Sequence, residues 1–403
     1  MKSKNPEKPN SPTSNEILLK RISYLKNLNP EESNLFQEIL EETNKGNLAF
    51  ANAIDTKIPS EIQSPIFAKR EINGTHFFFF QKDFEELRRL ESHLKNFLKP
   101  VSTTTIDKRK LHEELESLQK NFRKNSGNQN FELTDEQTGA IGGICTFKFH
   151  LITGGPGTGK TSVISFLLKV MEKMEILPNP KDIVLVAPTG RAAQRLTESI
   201  QRNLSQMEPE NLIYNSFKGQ TLHSLLKLNP RTGIPKFGTE RYLTQKLFIL
   251  DEISMVDLKM MNLFLDAMKE GNQIILLGDP HQLPSVEKGN VISDLTNVLE
   301  GKSNFLSKLT ISKRFDDSSS LSKISKQIQI SFNTDLSPHT ITAIPMDSLE
   351  IGAFKPKDKN IYWLDGLKPK DRQIQRNEMI DFLWKDVFWP EVLQIHNWKV
   401  TKD

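Results

Sequence analysis

Two rhythms of apolar and polar positions divide the chain. From Glu16 to about Lys99 the spacing is mainly helical. Beyond Asp83, residues Phe84, Leu87, Leu90, Leu94 and Phe97 recur at three- and four-residue intervals and share one face of a helix. One interruption, Phe77 to Phe80, is a short aromatic run suited to a buried strand. Pro100-Val-Ser-Thr-Thr-Thr breaks the pattern, Lys108 to Lys124 reads as a charged helix, and Asn125-Ser-Gly-Asn-Gln-Asn reads as a loop. Past that loop the rhythm changes. Short unbroken apolar runs at Phe147–Thr153, Ile183–Ala187, Leu247–Leu250 and Ile274–Leu277 alternate with helical stretches such as Ser162–Met174. A strand buried on both faces is apolar throughout, so this alternation predicts an α/β fold, a parallel sheet with helices on both faces. After about Leu321 the pattern weakens, and Leu336 to Lys370 is rich in Pro, Asp and Lys. The expected organisation is therefore a lead-in over 1–15, a mostly helical N-terminal domain over 16–125, the α/β domain over 126–320, and a C-terminal region over 321–403.

Composition adds limits. Lys and Arg number 54 against 50 Asp and Glu, a formal charge of +4 that neither demands nor excludes a nucleic-acid partner. The opening residues are polar and Pro-rich, unlike a signal peptide, and no stretch approaches the roughly 20 apolar residues of a membrane span, so a cytoplasmic setting without membrane contact is expected. The single cysteine, Cys145, allows no disulfide within the chain and reads as a small core residue. The four tryptophans (Trp363, Trp384, Trp389 and Trp398) lie near the C-terminal end, where they either pack a small core or form a patch for another subunit.

The strongest chemical signal is Gly154-Gly155-Pro156-Gly157-Thr158-Gly159-Lys160-Thr161, a complete G-x-x-x-x-G-K-[ST] segment between a predicted strand and a predicted helix. Its glycines let backbone N–H groups face phosphates, and the helix N-terminus adds favourable partial charge. Lys160 is expected to reach the β- and γ-phosphates of ATP and the Thr161 hydroxyl to ligate Mg²⁺. A second apolar run, Leu247-Phe-Ile-Leu, ends in Asp251 and Glu252, of which the first can hold Mg²⁺ and the second can orient and deprotonate an attacking water. A third, Ile274-Ile-Leu-Leu-Gly278-Asp279-Pro-His-Gln282, points polar groups at the same rim, where Gln282 can sense the γ-phosphate. Ahead of the loop stands Leu133-Thr134-Asp-Glu-Gln137. Two readings of Gln137 are open: its amide reads the edge of adenine, or Thr134 and Gln137 form a capping box.

In this order the pieces resemble the RecD family of superfamily 1 DNA helicases, alpha subunits of the exodeoxyribonuclease V (RecBCD) complex. The resemblance covers about Leu133 to Arg314 well and the first hundred residues loosely. It is carried by Leu-Thr-Asp-Glu-Gln137, by Thr153-Gly-Gly-Pro-Gly-Thr-Gly-Lys-Thr161, by Ala187-Pro188-Thr189-Gly190-Arg191-Ala-Ala193, by Gln220-Thr221-Leu-His223-Ser-Leu-Leu, by Asp251-Glu252-Ile-Ser-Met255, by Gly278-Asp279-Pro-His-Gln282-Leu-Pro, and by Lys313-Arg314-Phe315. The resemblance implies a RecA-like P-loop motor. It implies adenine recognition by Gln137, DNA contacts from Pro188, Thr189, Gly190, Arg191, Thr221 and His223, and an arginine finger at Arg314. By the same resemblance, Asn229 to Lys246 is a small strand-splitting hairpin.

The function so implied is ATP-dependent, 5′→3′ DNA unwinding in recombination and double-strand break repair, beside RecB- and RecC-like subunits on which the N-terminal domain docks. The family's second motor domain, with its Thr-x-His-Lys-Ser-Gln-Gly and Thr-Arg-Ala-Arg types of segment, has no counterpart before Asp403. A truncated or split subunit is therefore expected. Two alternatives remain at this point: a non-translocating ATP-binding adaptor, and a stand-alone helicase of the same type.

Overall fold

The computed structural model describes residues 28–44, 47–52, 64–98, 106–209, 217–282, 289–302 and 304–312, all within one compact unit, Met1–Arg314. Arg314, the lead-in, the break after Pro100 and the tryptophan-bearing region 321–403 lie outside the described residues.

The α/β domain is built on a parallel sheet. Its strands are β4 (Phe149–Gly154), β5 (Ile183–Ala187), β6 (Gly219–Thr221), β7 (Leu247–Leu250), β8 (Gln273–Gly278) and β9 (Leu306–Leu309), in the order β6-β5-β7-β8-β4-β9. Every pairing is parallel. Alternate residues of each strand go to opposite faces. Ile152, Leu185, Ile249, Ile275 and Leu277 join one core, and Leu151, Val184, Val186, Phe248, Leu250, Ile274 and Leu276 join the other. Both cores are closed by helices, which explains why these strands read as unbroken apolar runs. The four strands legible in the sequence are present. The short edge strands β6 and β9 were not anticipated, because neither carries an apolar run.

One face is covered by α3 (Lys108–Ser126), α4 (Asp135–Thr146), α5 (Lys160–Lys173) and α6 (Gly190–Met207); the other by α2 (Gln81–Phe97), α7 (Leu222–Leu226), α8 (Leu258–Asp266) and α9 (Val291–Leu299). Helix α3 starts where the Asp107 carboxylate accepts from Arg109 N and Lys110 N, and stops at Gly127 in the left-handed conformation. Leu111, Leu115, Leu118 and Phe122 of α3 pack into the core of the α/β domain, although the sequence places this helix before the domain boundary. Helix α5 carries a fully buried Lys169, whose Nζ donates to Glu172 Oε2 at 2.5 Å and Glu208 Oε2 at 2.6 Å. Glu208 caps α6, so this pair pins α5 to α6. Removing both Glu172 and Glu208 would leave the Lys169 ammonium buried without either carboxylate.

The N-terminal part is mostly helical, as expected, and adds a small antiparallel sheet. Helix α1 (Pro30–Asn44) packs on strands β1 (Ala49–Asn52), β2 (Phe67–Ile72) and β3 (Thr75–Phe80), ordered β1-β3-β2. Only β3 was legible, through its Phe run, and Phe78 and Phe79 are buried as core. Leu90 and Leu94 of α2 pack against the α/β domain. Polar contacts fix that seam: Arg89 and His93 both bind Asp266 of α8, and Asn262 Nδ2 donates to Glu86 O at 2.8 Å and Glu86 Oε2 at 2.7 Å. Cys145 is half-buried against the core, and burial pushes its thiol pKa up to about 12, so it stays a thiol. Among the described residues no helix is long and apolar enough to cross a membrane.

One histidine gives the fold a pH signature. His150 on β4 is 1% exposed, with Nδ1 on Asn304 O at 3.2 Å and Nε2 on Ser307 Oγ at 2.9 Å. Burial lowers its pKa to about 4, against a smaller opposing effect of the Asn304 carbonyl. Between pH 6.5 and 4 the unfolded chain therefore binds the extra proton, and this contribution to stability is lost as pH falls through that window. The urea midpoint of the wild type should drop between pH 7.5 and 5 by more than that of His150→Gln; equal drops would remove His150 as the cause.

Candidate nucleotide site

The loop 154–161 leaves the end of β4 and enters α5 at Lys160. Gly159, just before the helix, has φ +82°, and a Cβ there would sit 2.5 Å from Gln137 Nε2, so only glycine fits. Gly154 is equally confined: a Cβ would stand 2.7 Å from Leu309 O of the neighbouring strand β9. The loop carbonyls are taken up by donors from outside and within. Lys160 Nζ donates to Gly154 O at 2.5 Å and Gly155 O at 3.2 Å, Thr158 Oγ1 donates to Gly155 O at 2.9 Å, and Ser312 Oγ donates to Pro156 O at 3.1 Å. Gln137 Nε2 donates to Thr158 O at 2.9 Å. These bonds fix the course of the loop backbone.

Gln137 forms the capping box. Its Oε1 accepts from Thr134 N at 3.0 Å while Thr134 Oγ1 accepts from Gln137 N at 3.2 Å. The residue is 3% exposed, and each end of its amide already has a protein partner. One N–H and one lone pair remain for a base.

Asp251 and Glu252 follow β7, which lies two strands from β4 with β8 between them. Asp251 is deeply placed, and its pKa is raised to about 6, chiefly by burial and then by the Glu252 charge. The amide of Glu252, which donates to Asp251 Oδ1 at 2.8 Å, and the Lys160 ammonium act the other way. Glu252 itself holds φ 54° and ψ 43°, a left-handed conformation that costs a residue with a side chain roughly 1–3 kcal/mol. It is kept there by its amide bond to Asp251 and by Met255 N, which donates to Glu252 O at 3.1 Å. At the end of β8, Asp279 is buried and Gln282 is exposed. Ser254 Oγ donates to Gln282 Oε1 at 3.1 Å, joining the ends of β7 and β8. Ser254, 3% exposed, was not singled out from the sequence; its place in Asp-Glu-Ile-Ser was the available signal.

A Mg²⁺ ion would find few protein ligands here. Among the described residues no three His, Cys, Asp or Glu cluster to hold a metal unaided. The Asp251 carboxylate after β7 and the Thr161 hydroxyl at the start of α5 are oxygen donors of the type that would hold an ion taking its remaining oxygens from water and phosphate.

The residues singled out for a second polyanion also come together. Ala187 and Thr221 are register partners at the ends of the adjacent strands β5 and β6. Pro188, Thr189, Gly190 and Arg191 therefore sit beside Thr221 and His223 on one edge. Thr189 caps α6, accepting from Ala192 N at 3.2 Å, and Thr221 caps α7, accepting from Ser224 N at 3.1 Å. Thr189, Gly190, Arg191 and His223 are exposed. The segment 229–246 is built of turns around Asn229 and a Gly238–Arg241 bridge, with Ile234 and Tyr242 exposed.

The ionised Asp251 destabilises the fold at neutral pH, since its folded pKa exceeds the ordinary carboxylate value. Asp251→Asn should raise unfolding stability by roughly 1–3 kcal/mol while abolishing metal-dependent hydrolysis of nucleotide. A variant that is destabilised, or that keeps wild-type turnover, would contradict this account of the site.

Comparison with known proteins agrees with this geometry. An AAA domain family model matches residues 137–288. The RecBCD enzyme subunit RecD of Haemophilus influenzae is 34% identical over 283 residues, covering 62% of this chain and 43% of the relative. The same subunit of Mycolicibacterium smegmatis is 37% identical over 190 residues, covering 46% of this chain and 34% of the relative. The ATP-dependent RecD2 DNA helicase of Deinococcus radiodurans is 31% identical over 157 residues, covering 39% of this chain and 19% of the relative. The chain thus spans less than half the length of these curated relatives. Over the span it shares with them, the chain is similar to RecD subunits, and its fold is a RecA-like parallel α/β sheet with a P-loop.

Proposed function

We propose that the chain is the ATP-hydrolysing motor portion of a RecD-type DNA helicase, working 5′→3′ within a helicase–nuclease assembly on DNA ends. The observation that supports this best is the order of the parallel sheet, which sets the loop 154–161 at the end of β4 and Asp251 and Glu252 at the end of β7, with β8 alone between them. In this reading the loop amides and Lys160 hold the phosphates of ATP. Mg²⁺, held by Thr161 and Asp251, would neutralise the phosphate charge that develops in hydrolysis. Glu252 takes the proton of the attacking water. Gln282, bonded to Ser254 beside Glu252, responds to the γ-phosphate and passes that state from β8 to β7. Arg314 supplies a further positive charge. Gln137 offers its remaining N–H and lone pair to adenine.

DNA lies along the other end of the same sheet edge. The N-terminal amides of α6 and α7, behind the caps Thr189 and Thr221, suit backbone phosphates, with Arg191 and His223 beside them. The N-terminal segment 16–125 docks on RecB- and RecC-like partners. The match to the Deinococcus radiodurans helicase favours a second reading, a helicase acting without those partners. Nuclease subunits eluting with this chain from cell extract would decide for the first.

Lys160→Ala should abolish DNA-stimulated ATP hydrolysis while leaving the fold intact; equal rates in variant and wild type would defeat the motor reading. Arg191→Ala should weaken single-stranded DNA binding at every sequence tested and make the slope of log affinity against log salt shallower by roughly 0.7. An unchanged slope would place DNA elsewhere.

A further inference from the structure

The sequence assigns no role to Glu136, which the structure places at a junction. Strand β9 runs beside β4, and its last residue, Leu309, is the register partner of Gly154. The chain continues past the end of the sheet along the P-loop. Thr310 donates twice to one carboxylate, from its N to Glu136 Oε2 at 2.8 Å and from its Oγ1 to Glu136 Oε1 at 2.6 Å. Two residues on, Ser312 Oγ reaches Pro156 O at the tip of the loop. Glu136 belongs to the first turn of α4, next to Gln137, which holds the opposite limb of the loop through Thr158 O. Two adjacent side chains of one helical turn thus grip the two sides of the P-loop, one directly and one through the strap 310–312.

We propose that Glu136 is a positioning residue for nucleotide binding, clamping Thr310 so that Ser312 holds the Pro156 carbonyl turned away from the phosphates. This rests on the reading of 154–161 as a nucleotide site. A carboxylate with both oxygens on one residue fixes the direction of the strap as well as its distance. Without it, the Pro156 peptide is free to rotate, and a rotated peptide presents a carbonyl where a phosphate needs an amide. An acidic residue in a first helical turn also favours the helix by itself. Asp135 shares that turn and serves as the control for that effect.

The experiment measures ADP affinity by calorimetry on the full chain, with unfolding midpoints alongside. Glu136→Ala should weaken ADP binding about tenfold, the scale of a lost charge-assisted hydrogen bond. Glu136→Gln, which keeps one acceptor oxygen, should fall between Ala and wild type, and Asp135→Asn should bind as wild type. Adding Thr310→Val to Glu136→Ala should cost little more, because the two act as one unit. Wild-type affinity in Glu136→Ala would overturn the proposal. So would a loss matched by Asp135→Asn, which would make the effect one of helix stability. Failure of the wild type itself to bind ADP would instead bring down the nucleotide reading.

Discussion

A peptide unit that turns its N–H one way turns its C=O the other. A loop that aims several amides at one phosphate must therefore dispose of several carbonyls, and the shape of this site depends on where they go. The carbonyls of Gly154, Gly155, Pro156 and Thr158 accept hydrogen bonds from Lys160, Thr158, Ser312 and Gln137. Two of these donors come from within the loop. The other two come from segments that are remote in sequence and are brought up by the sheet and by α4. The glycines let the loop bend, and the outside donors fix which way it bends.

The sheet supplies the second requirement. A parallel sheet buried on both faces is stiff, because each strand is held by two layers of apolar contact. Its carboxyl edge therefore presents β4, β8 and β7 at fixed spacing, with the loop 154–161 after β4 and Asp251 after β7. The cost is visible in two places. Asp251 sits where its charge is poorly solvated, and Glu252 holds a left-handed backbone. Both costs are borne at the two residues the proposed chemistry needs, as expected where function competes with stability.

The same edge offers a route between the two proposed ligands. The proposed nucleotide site lies at the ends of β4, β8 and β7, and the caps, exposed at Thr189 and half-buried at Thr221, lie at the ends of β5 and β6. The Ser254–Gln282 bond ties the ends of β7 and β8, and the backbone of Asp251 is bonded to Val186 of β5. A change at Gln282 therefore meets a continuous chain of hydrogen-bonded elements leading to the cap at Thr189.

The sequence by itself determined the loop, the carboxylates and the four central strands. Each is a local pattern whose meaning depends on neighbours a few residues away, and the apolar runs are long enough to admit one reading. It also placed the helical face of α2 and the aromatic strand β3. Tertiary structure decided the rest. Strands β6 and β9 are short edge strands held by pairing and not by their own apolar content, so no run announced them. Helix α3 reads as a charged helix of the N-terminal segment, yet its four apolar residues face the motor core, a choice made by what it packs against. Gln137 admitted two roles on spacing alone, and its burial between Thr134 N and Thr158 O fixed the capping box. Glu136 was silent in the sequence because its partner is Thr310, and a contact across so many residues exists only once β9 has paired with β4.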